Sequence, residues 1–196
     1  MPAGRSGILP GMHRQPILDL IADYSRRHPE EVDVVTRFRA FVMEHPRCFE
    51  RDLWAGHVTG SAWVVNAARD SVLLTHHRKL GRWLQLGGHS DGNPDSLAVA
   101  LSEAHEESGL EVKPLATVVF DLDIHEIPAR KQDPAHFHFD VRFALQVTGS
   151  EEFRVSPESL DLAWVPIAQL SDYTDEESML RMARKWPAFV AAIPLL

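Results

Sequence analysis

Apolar positions recur at helical spacing in two stretches near the N-terminus. Gln15 to Arg26 places Ile17, Leu20, Ile21 and Tyr24 on one face, and Glu30 to Glu44 does the same with Val34, Val35, Phe38, Phe41 and Val42. A polar turn, Ser25 to Pro29, separates the two predicted helices. From Ala55 the period changes to two. His57, Thr59, Ser61, Trp63 and Val65 share a parity within Gly56 to Asn66, and the turn Ala67 to Asp70 leads into Ser71 to His76, so a hairpin is predicted. Thr117 to Asp123 reads as another strand, and Ile124 to Pro134 as a loop carrying Pro128, Arg130 and Lys131. Ala135 to Val147 is the cleanest alternation in the chain. Phe137, Phe139, Val141 and Phe143 are expected to face a core, with His136, His138, Asp140 and Arg142 on the opposite side of a half-buried strand. Leu160 to Val165 is a short strand, and Asp175 to Val190 a closing helix that Pro187 is expected to bend or end. Strands in the middle, with helices before, between and after them, predict an α/β layered domain.

The most informative stretch runs from Leu86 to Leu110. It opens with Gly87-Gly88 and a polar loop, and Asn93-Pro94 reads as an N-cap followed by proline at the first helical position. The helix is expected to end at Ser108 with Gly109 as its left-handed cap, and to turn Leu97, Ala100, Leu101 and Ala104 toward a core. Glu103, Glu106 and Glu107 cluster on an adjacent arc. Glu103 and Glu107 repel each other at i, i+4, and all three sit at the helix end where the macrodipole disfavours anions. A solvated acidic face is the commonest fate of such residues. Three carboxylates at the wrong end, after a glycine loop whose carbonyls could converge on them, point instead to a hard-cation site for Mg²⁺ or Mn²⁺.

This stretch resembles the Nudix box of the Nudix hydrolases, G-x5-E-x7-R-E-U-x-E-E-x-G-U with U apolar. Gly88, Glu103, Ala104, Glu106, Glu107, Gly109 and Leu110 match in register, while Pro94 stands where the first Glu belongs and Ser102 where the Arg belongs. In looser form the resemblance extends from about Gly56 to Lys185, through Trp83 to His89 and Leu162 to Pro166. It implies a Nudix-like α/β/α sandwich with a mixed β-sheet. Residues 55–196 would form that domain, residues 15–54 an N-terminal helical extension and residues 1–14 a mobile tail. It also implies that Glu103 and Glu107 coordinate Mg²⁺ or Mn²⁺, that Glu106 assists or binds a second ion, and that the carbonyl of Gly88 (or Gly87) completes the site. The implied activity is hydrolysis of a diphosphate linked to another moiety, such as a nucleoside diphosphate derivative. A glutamate of the cluster, or one from another loop, would then act as base.

Composition narrows the partners. Over 196 residues a net charge of −8 argues against general nucleic-acid or anionic-membrane binding. No apolar run approaches the ~20 residues of a membrane span, and Met1 to Arg14 lacks the apolar core of a signal peptide. The single cysteine, Cys48, allows no intrachain disulfide and fits a reducing, cytoplasmic setting, with a structural role for its thiol. The N-terminal helices could pack on the main domain or form a homodimer surface.

Other candidate groups lie outside the box helix. His136, His138 and Asp140 place three potential ligands on one strand face. They suit a transition metal or a phosphate pocket, or form a solvent-facing side with incidental histidines; we read them as pocket lining, joined by His89 and His125. His76, His77, Arg78, Lys79 and Arg82 form a basic group beside the box that could hold a diphosphate, chiefly through Arg78 and Lys79. Trp83 could stack on a base but reads more naturally as half-buried core. Two rival functions remain at this level. One is a binding or regulatory module that keeps the metal site without turnover, as Pro94 and Ser102 suggest. The other is an isomerase of the isopentenyl-diphosphate type, which would need a thiol or equivalent proton donor, whereas Cys48 precedes the core.

Overall fold

The computed structural model describes residues 12–130 and 133–193, and its sheet is organised by two long central strands. These are β1 (His57–Val65) and β7 (His136–Val147), paired in parallel from His57↔His138 to Val65↔Gln146. The remaining strands are β2 (Ser71–His77), β3 (Arg82–Leu84), β4 (Leu86–His89), β5 (Val112–Pro114), β6 (Asp121–Ile127) and β8 (Ser159–Pro166), all joined antiparallel. The backbone path runs β3-β2-β1-β7-β5, with β4 sharing the β2 side of β1, β6 pairing with β7, and β8 with β2. The sheet is therefore mixed, as expected.

Helices cover both faces. Even-numbered residues of β1 (Val58, Ala62, Val64) share a core with α1 (Gln15–Arg27), α2 (Val32–Glu44) and α3 (Ser96–Ser108). Phe139 stacks on Phe41 with ring centroids 3.8 Å apart and meets Phe38 edge-on. Odd-numbered Trp63 and Val65 face the other way, onto Met179, Met182 and Trp186 of α4 (Glu177–Ala192). The N-terminal helical pair thus shares its apolar interior with the sheet. The segment after it docks on the box loop, where Arg51 pairs with Asp91 and Gly92 N–H donates to the Phe49 carbonyl at 2.9 Å.

Several sequence expectations need correction. The β7 strand is not half-buried: from Phe139 to Leu145 both parities are buried, because a helical layer covers each face. Phe137, expected in the core, is 38% exposed, since it lies beyond the covered part of the strand. The strand placed at Thr117 to Asp123 runs instead from Asp121 to Ile127, and the loop begins after Ile127. Pairing with β7, from Asp121↔Arg142 to Ile127↔His136, extends it. Asn93 is not the helix cap. Its side chain accepts from Asp95 N–H at 3.0 Å, and Asp95 caps α3 by accepting from Ala98 N–H at 3.0 Å. An anionic cap is better placed against the macrodipole than a neutral one. Pro187 falls inside α4, which continues to Ala192. Of the expected tail, residues 1–11 lie outside the described residues and Met12–Arg14 form a 3-10 turn leading into α1; Lys131 also lies outside.

Candidate active site

The Gly-Gly turn and the box helix meet through the backbone. Gly87 has φ 155° and its N–H donates to Glu107 Oε2 at 3.1 Å. At Gly88 a Cβ would overlap the Glu103 carboxylate, so only glycine lets that side chain lie flat against β4. Gly109 caps the helix in the left-handed conformation, with φ 70°. The stripe of α3 turned toward the sheet includes Ser96, Ala100, Ala104 and Glu107, with Glu103 half-buried beside it. Two carboxylates therefore occupy positions where an amphipathic helix would ordinarily carry apolar groups.

Their electrostatics follow from that placement. Burial pushes the Glu103 carboxyl up to about 7, with Glu106, Glu158 and Asp91 adding repulsion. Burial pushes Glu107 up to about 8 against the opposing pull of the Gly87 N–H. Neither carboxylate forms a salt bridge among the described residues; Arg51, the cation that most affects Glu103, is paired with Asp91. Glu106 is exposed and accepts from Ser102 Oγ at 2.7 Å. The serine in the arginine position thus orients Glu106 without adding charge. The three glutamates are not gathered into a ligand cage: among the described residues, only His57/His89/His138 and His28/Glu30/Glu31 bring three ligand atoms within 4.8 Å of one another. Buried carboxylates without a counter-charge nevertheless fit a divalent cation, and oxygen donors suit Mg²⁺ or Mn²⁺.

A second polar group lies alongside, on the face of the sheet that carries odd β1 residues. His136 and His138 gather there with His57, His89 and His125, and His57 packs 4.9 Å from His136, 4.8 Å from His138 and 5.1 Å from His89, between ring centroids. Burial pushes His57 down to about 4 and His138 down to about 2, and lowers His89, where Arg51 adds to the effect. Asp140 does not join this group. It is buried one step further along the strand, accepting from Thr59 Oγ1 at 2.8 Å, Ser61 Oγ at 2.7 Å and Arg142 Nε at 2.8 Å. Its oxygens are occupied, so it braces the pocket wall rather than lining it.

Asp140 is instead the first member of a buried ion-pair network that sequence reading missed. Arg142 also reaches Asp121 and Asp123 at 3.2 Å each, and Arg181 and Lys185 of α4 reach Asp121 at 2.7 and 2.6 Å. In spite of burial, the Arg181 and Arg142 guanidinium groups hold Asp121 below the usual carboxylate range, and the His125 hydrogen bond does the same for Asp123 with the help of both arginines.

The basic group does not stay together either. Arg82 pairs with Glu176, and Arg78 donates to the Pro157 and Ser159 carbonyls at 2.9 and 2.8 Å, which fixes the turn carrying Glu158. His76 stacks on half-buried Trp83 at 5.0 Å, and Lys79 remains exposed. Trp83 also borders a cleft of about 340 Å³ with Tyr173, Arg82 and Asp175. Sequence reading missed His57, Arg51 and Glu158. The polar parity His57-Thr59-Ser61 was a signal for the first; nothing local marks the other two.

Comparison with known proteins bears on this geometry. Residues 56–186 match the family model of the NUDIX domain, beginning just after the helical pair. A NUDIX-family hydrolase from Clostridium perfringens is 25% identical, with TM-score 0.50 over 68% of this chain and 97% of its own. The Nudix hydrolase RenU from M. smegmatis is 22% identical, with TM-score 0.53 over 72% and 90%. An Ap4A hydrolase from C. elegans, in a binary complex, is 15% identical with TM-score 0.52 over 69% and 98%. The last two bear on the fold alone. Comparison with curated proteins finds no match.

Proposed function

Since the chain belongs to the NUDIX domain family, we propose that it hydrolyses a phosphoanhydride bond in a small-molecule diphosphate linked to another moiety, with Mg²⁺ or Mn²⁺ as cofactor. The observation that carries this reading is the pair of half-buried Glu103 and buried Glu107, set against Gly87-Gly88 with no salt-bridge partner among the described residues. Those two carboxylates and the Gly88 carbonyl would hold the metal, with exposed Glu106 assisting. Bound there, a divalent ion supplies charge neutralisation for the diphosphate and a more acidic water.

The chain's own residues do the rest. Ser102 fixes the direction of Glu106. Glu158 is the candidate base from another loop: its charge is felt at both Glu103 and Glu107, and Arg78 pins its turn. His89, His136 and His138 line the wall the substrate would meet, and exposed Lys79 offers a charge for its phosphates. Arg78 is occupied with backbone carbonyls, so it acts on the substrate through the loop it holds. Trp83, beside the cleft with Tyr173, presents an aromatic surface for a base or other flat group.

A binding module that keeps the metal without turnover is the second reading, and Ser102 and Pro94 favour it, because they stand where the family pattern has an Arg and a Glu. The isomerase reading loses its support: Cys48 lies in the apolar core, and burial pushes its thiol up to about 12. The deciding experiment is phosphate release from nucleoside diphosphate derivatives, dinucleotides and isoprenoid diphosphates with Mg²⁺ or Mn²⁺. Turnover that requires the metal supports the hydrolase. A metal-loaded protein inert on the whole panel would move the assignment to the binding module.

A further inference from the structure

We propose that His57, His89 and His138 form a second metal site, for one Zn²⁺-class transition-metal ion, distinct from the carboxylate site on the box helix. Strand register builds it. His57 of β1 lies opposite His138 of β7, and His89 of β4 lies opposite Thr59, two residues along β1. Three adjacent strands thus project one imidazole each toward a common point, and one nitrogen from each ring lies within 4.8 Å of the other two. In a tetrahedral zinc site with bonds of ~2.0–2.1 Å, ligand nitrogens sit about 3.3 Å apart, so the rings need to close by no more than about 1.5 Å. Rotations about the side-chain torsions supply that, while the strands hold the Cα positions.

Unmet bonding capacity points to a ligand. His57 is 1% exposed and, among the described residues, neither of its ring nitrogens makes a full hydrogen bond, only the Leu53 backbone lying near enough to act on it; Nε2 of His138 has no partner either. A buried imidazole is ordinarily held by a partner, so this cluster has donor atoms in waiting. Its neighbours exclude the obvious alternative, an imidazolium nest for phosphate. Five imidazoles lie in contact here, with successive centroids 4.8–5.4 Å apart, and a positive charge on one opposes charge on the next. Among the described residues only His125 of the five contacts a carboxylate directly, Asp123 at 2.9 Å; the Asp91 carboxylate that acts on His89 is paired with Arg51. Neutral imidazoles instead suit a borderline-soft cation and suit Mg²⁺ poorly. Three nitrogen ligands leave a fourth position for a water or a substrate oxygen. His136 flanks the group with its ring centroid 4.9 Å from that of His57, and its Nδ1 contacts the Pro134 carbonyl at 2.9 Å.

The two sites are joined through one residue, since His89 follows Gly88 in β4. They use different atoms, and that separates their tests. Metal-stripped full-length protein is titrated with Zn²⁺ against a chromophoric chelator, and with Co²⁺ while its visible ligand-field bands are followed. We expect one equivalent of Zn²⁺ bound and tetrahedral Co²⁺ bands. His138→Gln and His57→Gln should each weaken Zn²⁺ binding by about 100-fold or more and abolish the Co²⁺ bands. His89→Gln, at a more accessible position, decides the matter should the buried variants fail to fold. Glu103→Gln/Glu107→Gln should leave the Zn²⁺ equivalent intact. The proposal is overturned by the absence of a stoichiometric Zn²⁺ site, by unchanged affinity in His89→Gln, or by loss of that site in the glutamate double variant.

Discussion

Around Arg142, each buried carboxylate faces a guanidinium or an ammonium; around Glu103 and Glu107, the buried carboxylates face a glycine backbone and each other. Both groups lie against the same pair of central strands and both are removed from water. In the first, Asp121, Asp123 and Asp140 are shared among Arg142, Arg181 and Lys185, so β6, β7 and α4 are tied together by charge. In the second, the charge is left open. Burial alone therefore does not distinguish a structural polar cluster from a functional one. What distinguishes them is whether the cluster is complete without a ligand.

The largest effect should come from breaking the complete cluster. Arg142→Leu takes one partner from each of Asp121, Asp123 and Asp140, the first and last of them fully buried, and should cost about 3–5 kcal/mol of stability, read as a fall in the urea midpoint. A loss below about 1 kcal/mol would mean that Arg181 and Lys185 suffice. The incomplete cluster should behave in the opposite way. Glu103→Gln/Glu107→Gln should abolish Mg²⁺ or Mn²⁺ binding by calorimetric titration and lower kcat/KM by about 100-fold or more, while thermal stability holds or rises. Unchanged metal affinity would remove these residues from the site.

Acid and base should separate the two clusters next. Asp121 and Asp123 are held below their ordinary value of 3.8, so their contribution is present above that pH and lost as pH falls below about 4. Glu103 and Glu107 are raised from 4.5 to about 7 and about 8, so the metal-free protein keeps their contribution below pH 4.5 and loses it progressively up to pH 8. Mg²⁺ should offset that loss, raising Tm more at pH 8 than at pH 6, where protons compete for the same oxygens. Equal stabilisation at both values would place the ion elsewhere.

The smallest effect concerns Ser102. Ser102→Arg should change stability by no more than about 0.5 kcal/mol, since the position is exposed. In a slow hydrolase the new arginine should constrain a neighbouring carboxylate and raise kcat at unchanged metal affinity. A fall in kcat would show that another basic residue already fills that space.

Periodicity alone determined much of this protein. The spacing of Ile17, Ile21 and Tyr24, and of Phe38, Phe41 and Val42, placed two helices. The alternation from His136 to Val147 placed the longest strand, and Leu86 to Leu110 carried the family resemblance with Glu103, Glu106 and Glu107. These are local signals, written within one turn of helix or a few residues of strand. The alternation Asp121-Leu122-Asp123-Ile124-His125 was equally local, yet it is short and gains its strand only by pairing with β7. Tertiary structure decided the rest. Whether Asp140 lines a pocket or anchors Arg142 depends on a helix about 40 residues later in the chain. Whether His57 meets His138 and His89 depends on the register of three strands. Register is fixed by the packing of whole strands against two helical layers, and a shift of a single residue would turn each of those imidazoles to the opposite face.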